Sequence, residues 1–209
     1  MEFQNVIETR DQLREIVPEP APTSRAALKD IDHIDALCRR FIAASPFLIM
    51  ATKGADGLFD LSPKGDPAGF VHVLDEKTLV IPDRVGNNRL DTFQNLLDDP
   101  AIGLIFLVPG NGMTLRVSGK ARLVADPQLC QRFVIKGKAP KLVLVIEVQH
   151  AFTHCTKCMA RSNLWQPEGW PDLDDVPTMA EAMAAHAKSF ESRGQTAPAI
   201  DMGALDRLY

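Results

Sequence analysis

Four short apolar runs lie between residues 47 and 82, each closed by a turn, and they limit the folds open to this chain more than any other feature. The runs are FLIMAT (47–52), LFDLS (58–62), FVHVL (70–74) and TLVIP (78–82), with turn-forming stretches at 54–57, 64–67 and 75–77 between them. They are too short for helices and rich in β-branched and aromatic residues, so they read as consecutive antiparallel strands. Two longer strands are expected at 101–108 and 113–125, joined by Pro109, Gly110, Asn111 and Gly112, residues suited to a tight turn. On the second of these, Arg116, Ser118 and Lys120 alternate with Leu115, Val117 and Ala121, as on a strand with one wet face. A last strong strand is expected at 141–152. Six or seven strands with few helices predict a mainly β fold with flanking α-helices, a closed or partly open antiparallel barrel. Alternating strand and long-helix units are missing, which argues against a Rossmann sheet.

The helices are fewer and flank this pattern. Ile34, Leu37, Cys38, Phe41 and Ile42 recur with helical spacing, with Asp30 or Asp32 as the expected cap and Ser45-Pro46 as the end. Leu90, Phe93, Leu96 and Leu97 predict a second amphipathic helix, closed by Pro100. Asp126-Pro127 opens a further short one, and an alanine-rich stretch around 178–190 predicts another before a terminal tail. Pro18, Pro20 and Pro22 make residues 1–24 a short helix followed by an extended arm, suited to lying on a partner subunit. With 209 residues, 45% of them hydrophobic, the chain has enough apolar side chains for one core.

Charge and composition exclude several function classes. A net charge of −4 gives no overall basic field for nucleic-acid binding. No apolar run approaches the ~20 residues of a membrane helix, and the start, MEFQNVIETRDQLREIVPEP, is too acidic and polar for a signal peptide. Four cysteines, unevenly spaced, do not make a disulfide scaffold, so a reducing, cytoplasmic location is expected. Gly110-Asn111-Gly112 is too short for a dinucleotide fingerprint, and no phosphate-binding GxxxxGK[ST] loop exists.

Four polar clusters remain as candidate chemistry. The stretch DRVGNNRLD (83–91) leads into a predicted helix and carries Arg84, Asn88 and Arg89. Backbone N–H groups and the helix dipole favour an anion there, and guanidinium groups match phosphate oxygens, although any solvent-facing connection is also polar. SPKGD (62–66) offers Ser62 and Lys64 at a strand end, and TLRVSGKAR (114–122) puts Thr114, Arg116 and Ser118 on one strand face. HAFTHCTKC (150–158) holds His150, His154, Cys155 and Cys158, superficially a zinc set. They crowd one strand-to-helix passage without a second CxxC or distant His pair, so no metal is assigned. The pair also lacks the βαβ setting of a thioredoxin-type redox motif. His33 and His72 have no evident catalytic partner in the sequence.

Taken together, SPKGD, a strand ending in IPDR, GNNRLD before a helix, FLVPG and TLRVSGKA resemble, in order and spacing, the pyridoxamine 5′-phosphate oxidase-like proteins that bind flavin mononucleotide (FMN). The resemblance runs from about residue 30 to 171, and HCTKCMARSNLWQPEGWP is similar to the ending of an uncharacterised subgroup. It implies a split antiparallel β-barrel of the FMN-binding type over residues 25–171, with an N-terminal arm (1–24) and a C-terminal helix and tail (172–209). It further implies a homodimer with flavin at the subunit interface. On this resemblance Arg84, Asn88 and Arg89 would bind the FMN phosphate, with Ser62 or Lys64 nearby. Pro82 and Asp83 would line the ribityl chain and ring, and Thr114 and Arg116 would lie near the isoalloxazine edge. Arg161 and Trp165 would approach from the other subunit, Trp165 as an apolar wall.

The function implied is a flavin-dependent oxidoreductase acting on a small molecule. The alternative is a non-catalytic protein that binds flavin, deazaflavin or haem, with His150 or His154 as an iron ligand. No acid, base or nucleophile set stands out beyond the cofactor pattern. The ending GQTAPAIDMGALDRLY does not match the basic and aromatic residues with which true oxidases of the family hold pyridoxal phosphate, which speaks against vitamin B6 oxidation.

Overall fold

The computed structural model describes residues 1–24 and 26–191; the expected terminal tail and the ending from 192 on lie outside the described residues. Seven strands form one antiparallel sheet: β1 (Phe47–Lys53), β2 (Phe59–Gly65), β3 (His72–Val73), β4 (Thr78–Pro82), β5 (Ala101–Leu107), β6 (Thr114–Val124) and β7 (Val143–His154). Their order is β2-β1-β5-β6-β7-β4-β3, so the sheet curls without closing and β2 and β3 are its two edges. This is the expected split antiparallel barrel.

Adjacent pairing holds for β1–β2, β3–β4 and β5–β6, but the expectation that the first four strands are consecutive neighbours fails between β2 and β3. The free edge of β1 is taken instead by β5, whose alternating Ile102, Leu104 and Phe106 are all buried. After β2 the chain turns at Pro67, which has no N–H to give a ladder, and at Gly69 with φ of 87°, and crosses to the far edge. Phe70 and Val71 enter the core there, which leaves β3 only two residues long.

The core has the two-residue period of half-buried strands. Leu48 and Met50 of β1, the three β5 residues, Leu115 and Val117 of β6, and Leu144, Ile146 and Val148 of β7 pack into one cluster. Each such side chain contributes about 1.5–3 kcal/mol on burial. A bulge between Ser118 and Gly119 shifts the β6–β7 register, so that Ser118 faces His150 while Gly119 faces Val148.

Helix α1 (Arg10–Ile16) is closed at its start by a capping box between Thr9 and Gln12 and buries no residue. Helix α2 (Ala36–Ala44) is capped by Asp35, whose carboxylate accepts from the Cys38 N–H, and not by Asp30 or Asp32. Its buried face is Cys38 and Ile42, while the predicted member Leu37 points to solvent. Helix α3 (Asp91–Asp98) buries Thr92, Phe93 and Leu96. Two predicted members of that face are corrected: Leu97 is 74% exposed, and Leu90 lies outside the helix as a left-handed cap at φ of 60°. Helices α4 (Pro127–Gln131), α5 (Lys157–Arg161) and α6 (Met179–Glu191) complete the described chain. Among the described residues no helix is long and apolar enough to cross a membrane.

Asp32, displaced from its predicted capping role, instead ties the start of α2 to the β3–β4 hairpin. Lys77 Nζ donates to its carboxylate at 2.7 Å and to its backbone oxygen at 2.6 Å, and His33 contacts it at 3.0 Å. The Lys77 hydrogen bond, then that of His33, lowers the Asp32 carboxyl to about 2. A folded-state value below the ordinary 3.8 means that the pair adds stability above that pH and loses it as pH falls toward 2. Titration followed by carboxyl NMR is expected to find Asp32 near 2 and to return it toward 3.8 in Lys77→Ala. An unchanged Asp32 in that variant would refute the assignment.

Candidate functional site

The site grows out of the passage from β4 to α3. Pro82 pairs with Val143 and is buried in the sheet, and the Asp83 N–H donates to Leu142 O at 3.2 Å, so the loop leaves from a paired strand end. Asn88 and Leu90 both adopt the left-handed region, with φ of 58° and 60°. Asparagine tolerates this conformation, but for leucine it costs about 1–2 kcal/mol, strain that surrounding contacts must hold in place. Asn87 supplies one such contact by accepting the Arg89 N–H on its side chain at 3.0 Å, and Gln94 Nε2 supplies another by donating to Arg89 O at 3.1 Å.

Arg84 supplies the strongest contact. Its Nε donates to Asp66 Oδ2 at 2.6 Å and its Nη1 to Phe133 O at 2.9 Å, so one guanidinium joins the loop to the β2–β3 connection and to the end of α4. The Asp66 side chain is only 1% exposed and that of Arg84 19%. Arg89 is different: its Nε donates to Asp91 Oδ2 at 2.7 Å, but the side chain stands 72% exposed.

Ser62, Lys64, Asp83, Arg84, Asn88 and Arg89 together line one cavity of about 210 Å³ between β2, the loop and α3. Thr92 Oγ1 closes its floor by donating to Asp60 Oδ2 at 2.6 Å. Burial pushes the Asp83 carboxyl up, and Lys64 and Arg84 oppose that rise. The cavity therefore combines Lys64, Arg84 and Arg89 with amide and hydroxyl groups and with the carboxylates of Asp60, Asp83 and Asp91; its cations and neutral donors are of the kind that hold a phosphate monoester.

The remaining candidates lie elsewhere. Thr114 is almost wholly buried, and its Oγ1, like His154 Nδ1 opposite it on β7, has no hydrogen-bond partner among the described residues. Burial, then Arg116 and Lys29, holds the His154 imidazole below its ordinary value. Arg116 stands on the outer sheet face, 5.7 Å from the Phe152 ring, and lines a shallow apolar cavity of about 410 Å³ with Ile49, Ala51, Leu61 and Ile105. Leu61 borders both cavities. Arg161 is exposed on α5, and Trp165 donates from Nε1 to Asn111 O of its own chain at 2.8 Å.

Sequence reasoning missed Asp66, Asp60 and Asn87. Asp66 sits in Gly65-Asp66-Pro67, a stretch any turn displays, and its partner lies 18 residues away; no local pattern marks it. It also missed a larger cavity of about 550 Å³ behind the loop, bordered by Val85, Ile135, Pro140 and Lys141.

A family model described as pyridoxamine 5′-phosphate oxidase matches residues 34–155. No curated protein matches the sequence. Among solved structures, HupZ of Group A Streptococcus is 19% identical with a TM-score of 0.47, over 57% of this chain and 93% of its own. A Lactobacillus delbrueckii protein, described as a candidate pyridoxamine 5′-phosphate oxidase, is 18% identical with a TM-score of 0.48, over 60% of this chain and 99% of its own. An F420 reductase is 18% identical with a TM-score of 0.40, over 53% of this chain and 92% of its own.

Proposed function

Because the chain belongs to the pyridoxamine 5′-phosphate oxidase family, we propose that it binds FMN and works as a flavin-dependent oxidoreductase on a small molecule. The observation that carries this reading is the cavity beside the 83–90 loop, where cations and polar groups from β2 and from the loop meet. Lys64 and Arg89 would hold the phosphate through charge-assisted hydrogen bonds, with Asn88 and Ser62 as neutral partners. Arg84 would hold the loop in shape, since two of its nitrogens are engaged by Asp66 and Phe133. Pro82 and Asp83 would border the ribityl chain.

Leu61, shared by the two cavities, supports a ligand that runs along β2 toward Arg116. Thr114 Oγ1, buried and unsatisfied in the single chain, would find a partner at the ring edge. FMN supplies hydride and single-electron chemistry when bound, while Arg116 would stabilise negative charge on the ring and so tune it.

A homodimer belongs to this reading. The outer face of β2, β1 and β5 presents Phe59 and Leu61 exposed beside Ile49 and Ile105, an apolar surface that a second copy would cover. Arg161 and Trp165 would then serve the partner's flavin. Residues 25–171 are the FMN-binding unit of the proposal, 1–24 its arm and 172–209 its terminal helix and tail. Four cysteines without a disulfide among the described residues fit the cytoplasm.

Titration with FMN tests the proposal, and sedimentation tests the dimer. Lys64→Ala is expected to weaken FMN binding by about 1.5–3 kcal/mol, roughly ten- to hundred-fold in Kd, with thermal stability unchanged. Arg89→Ala should cost less, because its guanidinium is open to water and shared with Asp91. Protein that takes up no FMN ends the proposal. Bound flavin that no NAD(P)H or other donor reduces would favour the binding-only alternative.

A further inference from the structure

The four cysteines fall into two classes. Cys38 and Cys130 are buried, and burial together with Asp35 pushes the Cys38 thiol up to about 11, which keeps it inert. Cys155 and Cys158 are both exposed; Cys155 lies just before the Thr156 cap of α5 and Cys158 within its first turn. Residues three apart in a turn have Cα atoms under about 7 Å apart, which overlaps the roughly 4.4–6.8 Å that a disulfide spans. Cys158 Sγ folds back to 4.0 Å from the Cys155 carbonyl oxygen, so its thiol lies over its neighbour's backbone. No carboxylate occurs between Glu147 and Glu168, whereas Lys157 and Arg161 lie within or beside the motif, a setting that attracts an anionic reagent.

The same turn is held against the rest of the fold on both sides of the pair. Thr156, between the two cysteines, packs so closely on the β5–β6 turn that a Cβ at Gly112 would come within 3.0 Å of its methyl carbon. A little further on, Trp165 Nε1 donates to Asn111 O of that same turn.

We infer that Cys155 and Cys158 are a redox-active dithiol that closes to an intramolecular disulfide by exchange with a small anionic disulfide such as oxidised glutathione, and that closure is felt at Trp165. One cysteine, as thiolate, attacks a sulfur of the glutathione disulfide, forming a mixed disulfide as the first glutathione leaves as thiolate. The second cysteine attacks the protein sulfur of that bond, which forms the Cys155–Cys158 bond and releases the second glutathione. The protein dithiol loses two electrons and two protons; the small disulfide gains the electrons, and its two thiolates take up the protons.

The test uses the full chain, reduced and then incubated in glutathione buffers of graded potential, with free thiols trapped by alkylation. Loss of both alkylatable thiols at Cys155 and Cys158, in a peptide lighter by two hydrogen masses and restored by dithiothreitol, is expected. Cys155→Ser and Cys158→Ser should each stop at the mixed disulfide, heavier by one glutathione. Tryptophan emission should change on oxidation of the wild type and not of the double Ser variant, and the change should vanish in Trp165→Phe. Thiols that stay free across the whole range, or a mixed disulfide that persists in the wild type, would overturn the dithiol. Oxidation that leaves emission unchanged would overturn the link to Trp165. None of these readouts involves flavin.

Discussion

Asp66→Ala is expected to lower the unfolding free energy by about 3 kcal/mol, read as a shift of the urea midpoint at constant slope. The reasoning starts from the asymmetry of buried ion pairs. Forming one adds little net stability, because two charges must leave water, but removing one partner strands the other in a poorly solvated place. Here the Asp66 carboxylate is all but inaccessible, and it meets Arg84 Nε at 2.6 Å. Without it the Arg84 guanidinium keeps its bond to Phe133 O but loses the carboxylate that its charge meets in a mostly buried place. Because that side chain retains 19% exposure, part of the charge can be rehydrated, which places the cost at the lower end for a broken buried pair.

The damage should also reach the cavity. Arg84 is the tie that holds the 83–90 loop to the β2–β3 connection, and that loop carries left-handed Asn88 and Leu90. Strained backbone persists only where its surroundings over-determine it. If the proposed FMN site is this cavity, Asp66→Ala should therefore weaken FMN affinity along with stability, whereas Lys64→Ala should weaken affinity alone. A variant with near-normal stability would show that the pair is replaceable and that the loop is held by other contacts.

The contrast between Arg84 and Arg89 also explains which parts of this molecule were legible in its sequence. The strands β1, β5, β6 and β7 were readable because each is an apolar run rich in β-branched residues or bounded by turn-forming residues, although the alternating burial of Leu48 and Met50, or of Ile102, Leu104 and Phe106, does not show in runs that are apolar throughout. Several residues that line the cavity were singled out too, Lys64 near the end of β2 and the 83–91 stretch just past β4, while Ser62, expected at a strand end, lies in the middle of β2, which runs on to Gly65. What spacing does not carry is the state of a side chain. Two arginines five residues apart looked alike, yet one is committed to a buried carboxylate and the other stands in water.

Pairing across the sheet was hidden for a related reason. The order β2-β1-β5 depends on which strand wins the edge of β1, a competition between distant segments rather than a local property. Leu90 misled for a local reason. Periodicity assumes that the helix has already begun, and a left-handed residue at its entry removes Leu90 from the face it was counted on.

Gly119→Ala is expected to destabilise the fold by about 3 kcal/mol or more, a small-to-large change at a place that has no slack. A methyl group there would meet Glu147 O at 1.9 Å and Val148 Cα at 3.2 Å, both backbone atoms of β7. A flexible side chain would move aside at little cost, but a strand hydrogen-bonded on both flanks, to β6 and to β4, can yield only by breaking ladder pairs. The clash falls at the bulge where Ser118 and Gly119 change register, the point from which β6 goes on to pair Lys120 through Val124 with the inner end of β7. On its other side β7 continues its ladder to β4 through the Val148 N–H, which donates to Lys77 O at 2.7 Å, and Lys77 in turn holds Asp32. Loss of close contact at Gly119 should thus loosen the β4 side of the sheet first, read by hydrogen exchange as faster opening of residues 77–82 than of β1. Uniform loss of protection across all seven strands would instead mean that the bulge sets the stability of the whole barrel and not of one side.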